Sequence, residues 1–391
     1  MNDLQGQPIS KEDVMKKHAE PWQVYAERVE KALAAKKDTW GEEILSSPHD
    51  ATYESVETYL LPLGGITDAP FEQYPIVLSC KEHPEKIRLL SNGSRVDLNI
   101  SRFSQFWGWH LGESEVQFLV SPQCSLFGEV AETLSGPAYL DGCFPVVRFD
   151  YEYEGIRYSQ ETFAAPSPLD DQSLCCFVRL SVTPVTPRYA KTYVGVRFIK
   201  APEKLSRRGR HISGPQGHVY AAFERTAETD MSAQAILHEV DLSQPRTQHF
   251  HFILPNRPAA RHLSLEASES AHGSARESLL QYWSQILEQG VSISVPEERV
   301  SNALKTLIIG TFMLVNRDEV RYSAHNNYDL LYLRESADAT AALMMLGYAA
   351  ESRRYVSRLL RHRHVYGGVT LQEHGFKLQL AKRYWDFYSD T

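Results

Sequence analysis

The chain has 391 residues, 42% of them hydrophobic and 23% charged, enough for a large core and, by length, for two domains. Its formal net charge of -8 argues against nucleic acid as the main partner, because phosphate binding needs a concentrated positive field. The longest apolar run, Leu307 to Val315, is too short to span a bilayer, and the first six residues lack the basic and apolar regions of a signal peptide; no membrane partner and a cytoplasmic location are expected.

In chain order, residues 1–52 form a helical segment. Trp22, Tyr25, Val29 and Leu33 recur at three- and four-residue steps within a helix predicted over 11–37, and Pro21 fits the first turn of a second helix. Ser10 with Asp13 resembles a capping box.

Residues 53–268 change to a strand pattern. Arg148 to Glu154 alternates rings with charges, Gly155 supplies a turn, and Ile156 to Phe163 returns. Segments 177–182, 193–198, 219–223 and 249–253 repeat the signature without intervening helices, which predicts a large antiparallel sandwich. The five cysteines (Cys80, Cys124, Cys143, Cys175, Cys176) are odd in number and lack metal-ligand spacing. They read as packing residues of a reducing compartment, with Cys175 and Cys176 on opposite faces of one strand. His249 and His251 share a strand face opposite Phe250, Phe252 and Leu254. A two-histidine metal face lacks a third ligand nearby, so an exposed strand face is expected, with no metal and no cofactor. Trp107 and Trp109 are expected in core packing or against the helical domain, and the basic run Lys204 to Arg210 in a solvated loop.

A helical period resumes with a linker helix in 269–294. Leu279, Leu280, Trp283, Ile286 and Leu287 form one face from about Ser274, ended by Gly290. Residues 295–391 continue as helices: one from Val295 to Val315, with Pro296 near its first turn, then 336–348, 350–362 and 371–388. Gly347 and the pair Gly367 and Gly368 fall in connections.

The most informative stretch is Tyr322 to Asp338. Aromatic and amide side chains crowd a loop, and Arg334 and Glu335 stand where the next helix begins. Rings that pack on sugar faces, beside charges that grip hydroxyls, suit a carbohydrate pocket. The plainer reading has Glu335 favouring the helix dipole, Arg334 solvated, and His325, Asn326 and Asn327 forming a turn. Glu335 and Asp338 lie three apart on one helix face, an acidic first turn rather than a pair flanking a bond. No phosphate-binding glycine loop, Gly-x-Ser-x-Gly elbow or His-Glu-x-x-His occurs.

The element order, Tyr282 and Trp283 with Val295 to Val300, Tyr328 to Glu335, Gly142 to Pro145 and Tyr158 to Phe163 together resemble glycoside hydrolases with a six-hairpin (α/α)6 toroid behind an N-terminal β-sandwich. The resemblance implies an α+β multidomain fold: N-terminal helix, antiparallel sandwich, linker helix and the first hairpins of a toroid. In glucoamylase-like members an aromatic residue, one spacer and an Arg-Asp pair hold the sugar at the cleavage point. Tyr332, Arg334 and Glu335 match them, Tyr328 matches a further aromatic, and Asn327 joins the binding set. Glu335 replaces Asp, which lengthens the carboxylate arm, and Tyr332 replaces a common Trp. The chemistry needs two carboxyl groups, or one acid plus phosphate in phosphorylase relatives. Twelve helices with their connections need roughly 200 residues. Fewer than half of that follow Val295, so the toroid is expected to be truncated, with the general acid on hairpins this chain lacks; Glu335 stands as the catalytic candidate within it. Two functions stay open. One is a glycoside hydrolase-like protein that acts on or binds carbohydrate. The other is a non-catalytic carbohydrate-binding or homo-oligomeric assembly protein, covering the helix faces at Leu307 to Ile309, Leu343 to Leu346, and Tyr384 with Trp385.

Overall fold

The computed structural model describes residues 75–100, 112–186, 188–225, 228–230, 234–260, 265–324, 329–362 and 370–389, with Glu27, Glu30, Ala34 and Ser46. The chain divides into two compact units, residues 1–74 and 75–391. In the first, Glu27, Glu30 and Ala34 are helical and exposed, within the helix predicted over 11–37. Trp107 and Trp109 lie outside the described residues.

In the second unit, alternating apolar residues build two antiparallel eight-stranded sheets. The first contains β1 (Ile76–Leu78), β2 (Ile87–Leu89), β3 (Arg95–Ile100), β4 (Gly112–Val120), β10 (Lys191–Lys200), β15 (Ala235–Asp241) and β14 (Glu228–Asp230) in that order, with β5 (Ser125–Leu126) on β4. The second runs β11 (Ser206–Arg208), β12 (His211–Ser213), β13 (Val219–Phe223), β16 (Gln248–Pro255), β9 (Asp170–Pro184), β8 (Ile156–Ser167), β7 (Phe144–Tyr153) and β6 (Leu134–Leu140). The β7–β8 hairpin turns through Glu154 and Gly155, whose φ angles of 52° and 74° are those of the mirror-image turn that matches strand twist. A Cβ on Gly155 would also sit 2.1 Å from the Thr186 carbonyl oxygen.

The sandwich core lies between the sheets, where Phe118, Val194 and Val196 of the first meet Phe149, Val178, Phe250 and Phe252 of the second. The second sheet is apolar on its other face too, but only in part. Val146, Phe163, Phe177 and Ile253 are register partners across β7, β8, β9 and β16. Such a row must be covered. The cover is α1 (Glu269–Glu288), through Leu279, Trp283 and Ile286, and α2 (Glu298–Leu314), through Ile309, Phe312 and Met313. Cys176 faces the sandwich core and Cys175 the helices, as strand alternation requires, and all five cysteines are free thiols.

Helix α1 begins five residues before the expected start at Ser274. Ser268 caps it, its hydroxyl accepting the Ala271 N–H at 3.1 Å, while Ser270 and Gly273 interrupt the apolar repeat ahead of Ser274. Helices α3 (Leu333–Met345), α4 (Ala349–Arg361) and α5 (Thr370–Tyr388) form a smaller cluster around Leu333, Met344, Val356, Leu359 and Leu380. Tyr384 and Tyr388 turn inward to it, and the Tyr388 hydroxyl donates to the Met344 carbonyl at 3.2 Å. The order, sandwich first and helices after, is the α+β architecture expected. No described helix is long and apolar enough to cross a membrane.

The loop between β1 and β2 fastens the helices to the sandwich. Glu82, at φ 60°, donates its N–H to the Phe312 carbonyl at 3.1 Å and accepts the Arg317 N–H at 2.9 Å. Its carboxylate takes the Arg354 guanidinium at 2.7 Å and the Tyr355 hydroxyl at 2.5 Å, and Lys81 pairs with Glu351. Buried Lys86 donates to the Val315 carbonyl at 3.0 Å, and burial pushes its ammonium down to about 7.

Trp283 is fully buried between sheet and helices, so Trp283→Ala should lower unfolding stability by about 3–5 kcal/mol. Leu307→Ala, at a side chain 68% exposed, should stay within about 0.5 kcal/mol. Urea unfolding of the two variants checks the contrast.

Candidate functional site

Three of the residues singled out in the sequence, Tyr332, Arg334 and Glu335, lie at the start of α3. Its buried face is Leu333, Ser336, Ala337 and Thr340, and the Ser336 hydroxyl donates to the Val320 carbonyl at 2.6 Å. That fixes the helix rotation and turns Arg334, Glu335 and Asp338 to solvent. The Arg334 guanidinium lies 5.8 Å from the centre of the Phe376 ring on α5, a cation–π contact that holds it over the helix cluster. Glu335 sits in the first turn, where a carboxylate favours the helix dipole. Asp338 pairs loosely with Arg383 at 3.8 Å. Glu335 and Asp338 are one turn apart on one element, so they cannot stand on opposite sides of a glycosidic bond.

Tyr332 occupies the N-cap position of α3. Its ring is edge-on to that of Tyr322, with centres 6.2 Å apart and planes 70° apart. Tyr322 is 52% exposed and its N–H donates to the Leu330 carbonyl at 3.4 Å, so the chain doubles back to set the two rings side by side. They stand ten positions apart in sequence, and the motif that singles out Tyr332 does not include Tyr322. Asn327 and Tyr328 lie outside the described residues. The ensemble is an open ledge of two rings, followed along the chain by a solvent-facing guanidinium and carboxylate on a helix tied down at Ser336.

A second polar group of residues lies where the apolar row of the second sheet ends. The next outward row is Arg148, Glu161, Arg179 and His251, again register partners across four strands. Glu161 is almost fully buried and takes Arg148 at 2.9 Å, Arg179 at 3.3 Å and Arg276 of α1 at 3.2 Å. Here the expectation of an exposed histidine face is corrected. His251 is 3% exposed, because α1 crosses over it. Its Nδ1 bonds the Glu224 carboxylate at 2.7 Å, and its ring stands 5.3 Å from that of His272 on α1. His249, one alternation further out, is half-buried and bonds the Ser181 hydroxyl at 2.8 Å. Clefts of about 170 and 180 Å³ open along this row. No group of three or more His, Cys, Asp and Glu side chains among the described residues is arranged to hold a metal.

A third feature is a cavity of about 610 Å³ between α1 and the sheet, walled by Ala165, Pro166, Phe177, Ala271, Ala275 and Leu279, with Lys81, His83 and Tyr282 also lining it. It is an apolar slot. Tyr332, Arg334 and Glu335 line neither this cavity nor the two clefts.

Burial, then the neighbouring charges of His251, Arg179 and Arg276, pushes His272 down to about 3. Unfolded, the same imidazole titrates near 6.5. Between these values the unfolded chain holds a proton that the folded chain refuses, so stability is lost as pH falls from 6.5 towards 3. His272→Phe, which keeps a ring against Phe163, should flatten stability against pH in that window by up to about 1.4 kcal/mol per unit and leave it unchanged above pH 7. Urea midpoints at a series of pH values measure it.

No family model matches the chain, and no curated protein matches it. A solved structure described as "Putative kojibiose phosphorylase from human microbiome" is similar to it at a TM-score of 0.29 and 8% sequence identity, over 80% of this chain and 54% of that one. The chain therefore spans about half the length of that protein, and the likeness is too distant to place a site.

Proposed function

We propose that the protein binds carbohydrate, an oligosaccharide or glycoside, on the ledge at the start of α3. The observation that carries this reading is the exposed Tyr322 ring set against Tyr332, next to solvent-facing Arg334 and Glu335. Aromatic faces pack against the C–H faces of pyranose rings, and hydroxyls need donors and acceptors side by side. A guanidinium supplies only donors and a carboxylate only acceptors, so the adjacent pair can satisfy neighbouring hydroxyls. The resemblance to toroid glycosidases adds Tyr328 and Asn327 to the grip.

Hydrolysis asks for more than the ledge offers. A second carboxyl group would have to face Glu335 across the bond, at about 5–9.5 Å. Asp338 shares Glu335's own helix face and does not supply it, whereas the two rings with an adjacent donor and acceptor support recognition, with Glu335 as a hydroxyl ligand. A second reading, self-association, rests on Leu378 and Trp385, two turns apart on α5 and 72% and 49% exposed. Light scattering tests it: a monomer at all concentrations removes it.

Titration calorimetry against maltose, trehalose, cellobiose and xylobiose tests the first reading. At least one sugar should bind, and Arg334→Ala should weaken it about tenfold or more, the loss of a charge-assisted hydrogen bond of about 1.5–3 kcal/mol. If no sugar binds, or Arg334→Ala binds as well as the parent, the reading fails. Cleavage of aryl-glycosides that Glu335→Gln abolishes would replace recognition with catalysis.

A further inference from the structure

We infer that Arg321 is a positioning residue for this ledge, acting through Tyr322; the inference rests on the carbohydrate reading above. Arg321 is 7% exposed although it lies in a loop. Its guanidinium joins the two arms of that loop: Nη2 donates to Glu319 at 3.1 Å on the outgoing arm, and Nη1 to Asp329 at 2.7 Å on the returning arm. Glu319 is held in turn by Arg358 of α4, and a turn with mutual Asn316 and Glu319 backbone bonds, at 2.9 and 3.0 Å, fixes where the outgoing arm starts. Burial opposes the charge on Glu319, but the hydrogen bonds from Arg358 and Arg321 outweigh it and hold the carboxyl below its usual range.

The neighbours on both sides of Arg321 are the parts that matter. Val320 accepts the Ser336 hydroxyl of α3 at 2.6 Å, and Tyr322 carries the exposed ring. The loop is thus tied to α3, to α4 and to itself, within two residues of Arg321. An exposed tyrosine on an untied loop would sample many directions. Here the ring is already beside Tyr332 before any sugar arrives, the pre-organisation that rigid sites use. The two bonds leave from different nitrogens of the planar fork, a geometry that the single nitrogen of a lysine ammonium does not reproduce. Arg321 itself touches no ligand.

The test pairs a structural readout with a binding one. In tyrosine-labelled protein, the Tyr322–Tyr332 ring cross-peak should be present in the parent and lost in Arg321→Lys. Affinity for the tightest of maltose, trehalose, cellobiose and xylobiose should fall about tenfold, with no further fall when Tyr322→Ala is added. Should Arg321→Lys not fold, Asp329→Asn, which weakens one side of the fork, carries the same expectations. An unchanged cross-peak and affinity would overturn the inference, as would losses that multiply in the double variant. Absence of sugar binding by the parent would remove the carbohydrate reading and this role with it, and is told apart because only the parent is needed to see it.

Discussion

One constraint shapes the second unit: the second of its two sheets carries an apolar row on the side away from the sandwich core. Val146, Phe163, Phe177 and Ile253 cannot face water together, and α1 and α2 exist in this position because they cover that row. One step further along the same strands the residues become Arg148, Glu161, Arg179 and His251, so the cover ends where the polarity changes. Period-two alternation then separates three environments on single strands: sandwich core inward, helix contact outward, and a charged margin beyond it.

The charged margin and the loop between β1 and β2 hold that cover in place by different means. Glu161 gathers three arginines, one of them from α1, and so ties that helix to the sheet. Glu82 works on the α2 and α4 side through two backbone bonds and two side-chain partners. Apolar burial supplies the attraction without direction. These polar ties supply direction, since removing one partner would leave a buried group unmet.

The ledge inherits its geometry from this packing. Helix α3 can present Arg334 and Glu335 only because Leu333, Ser336, Ala337 and Thr340 are committed to the interior. The Phe376 ring beneath Arg334 comes from α5, so the first and last helices of the cluster share in placing one guanidinium. A hydroxyl-rich ligand gains from such fixed partners, because the loss of side-chain freedom has already been met in folding.

Much of this was legible in the residues. The alternation from Arg148 to Phe163 set the β7–β8 hairpin and its Glu154–Gly155 turn, and the paired cysteines announced a strand buried on both faces. The stripe of Leu279, Trp283 and Ile286 marked the helix that packs on the sheet. These patterns are local, and a local period decides which side of an element is apolar. It does not say what lies opposite. His249 and His251 share a face by sequence, yet only the crossing of α1 buries His251 beside His272 and leaves His249 at the margin. Tyr332, Arg334 and Glu335 could be picked out as a group from the resemblance their motif carries, whereas Tyr322 and Arg321 gained their places from the fold-back of the loop onto Leu330 and Asp329. The sequence by itself determined the elements and their apolar faces, because those follow from neighbours along the chain. Only the tertiary structure decided which polar side chains meet, because those contacts join residues that the chain brings together from far apart.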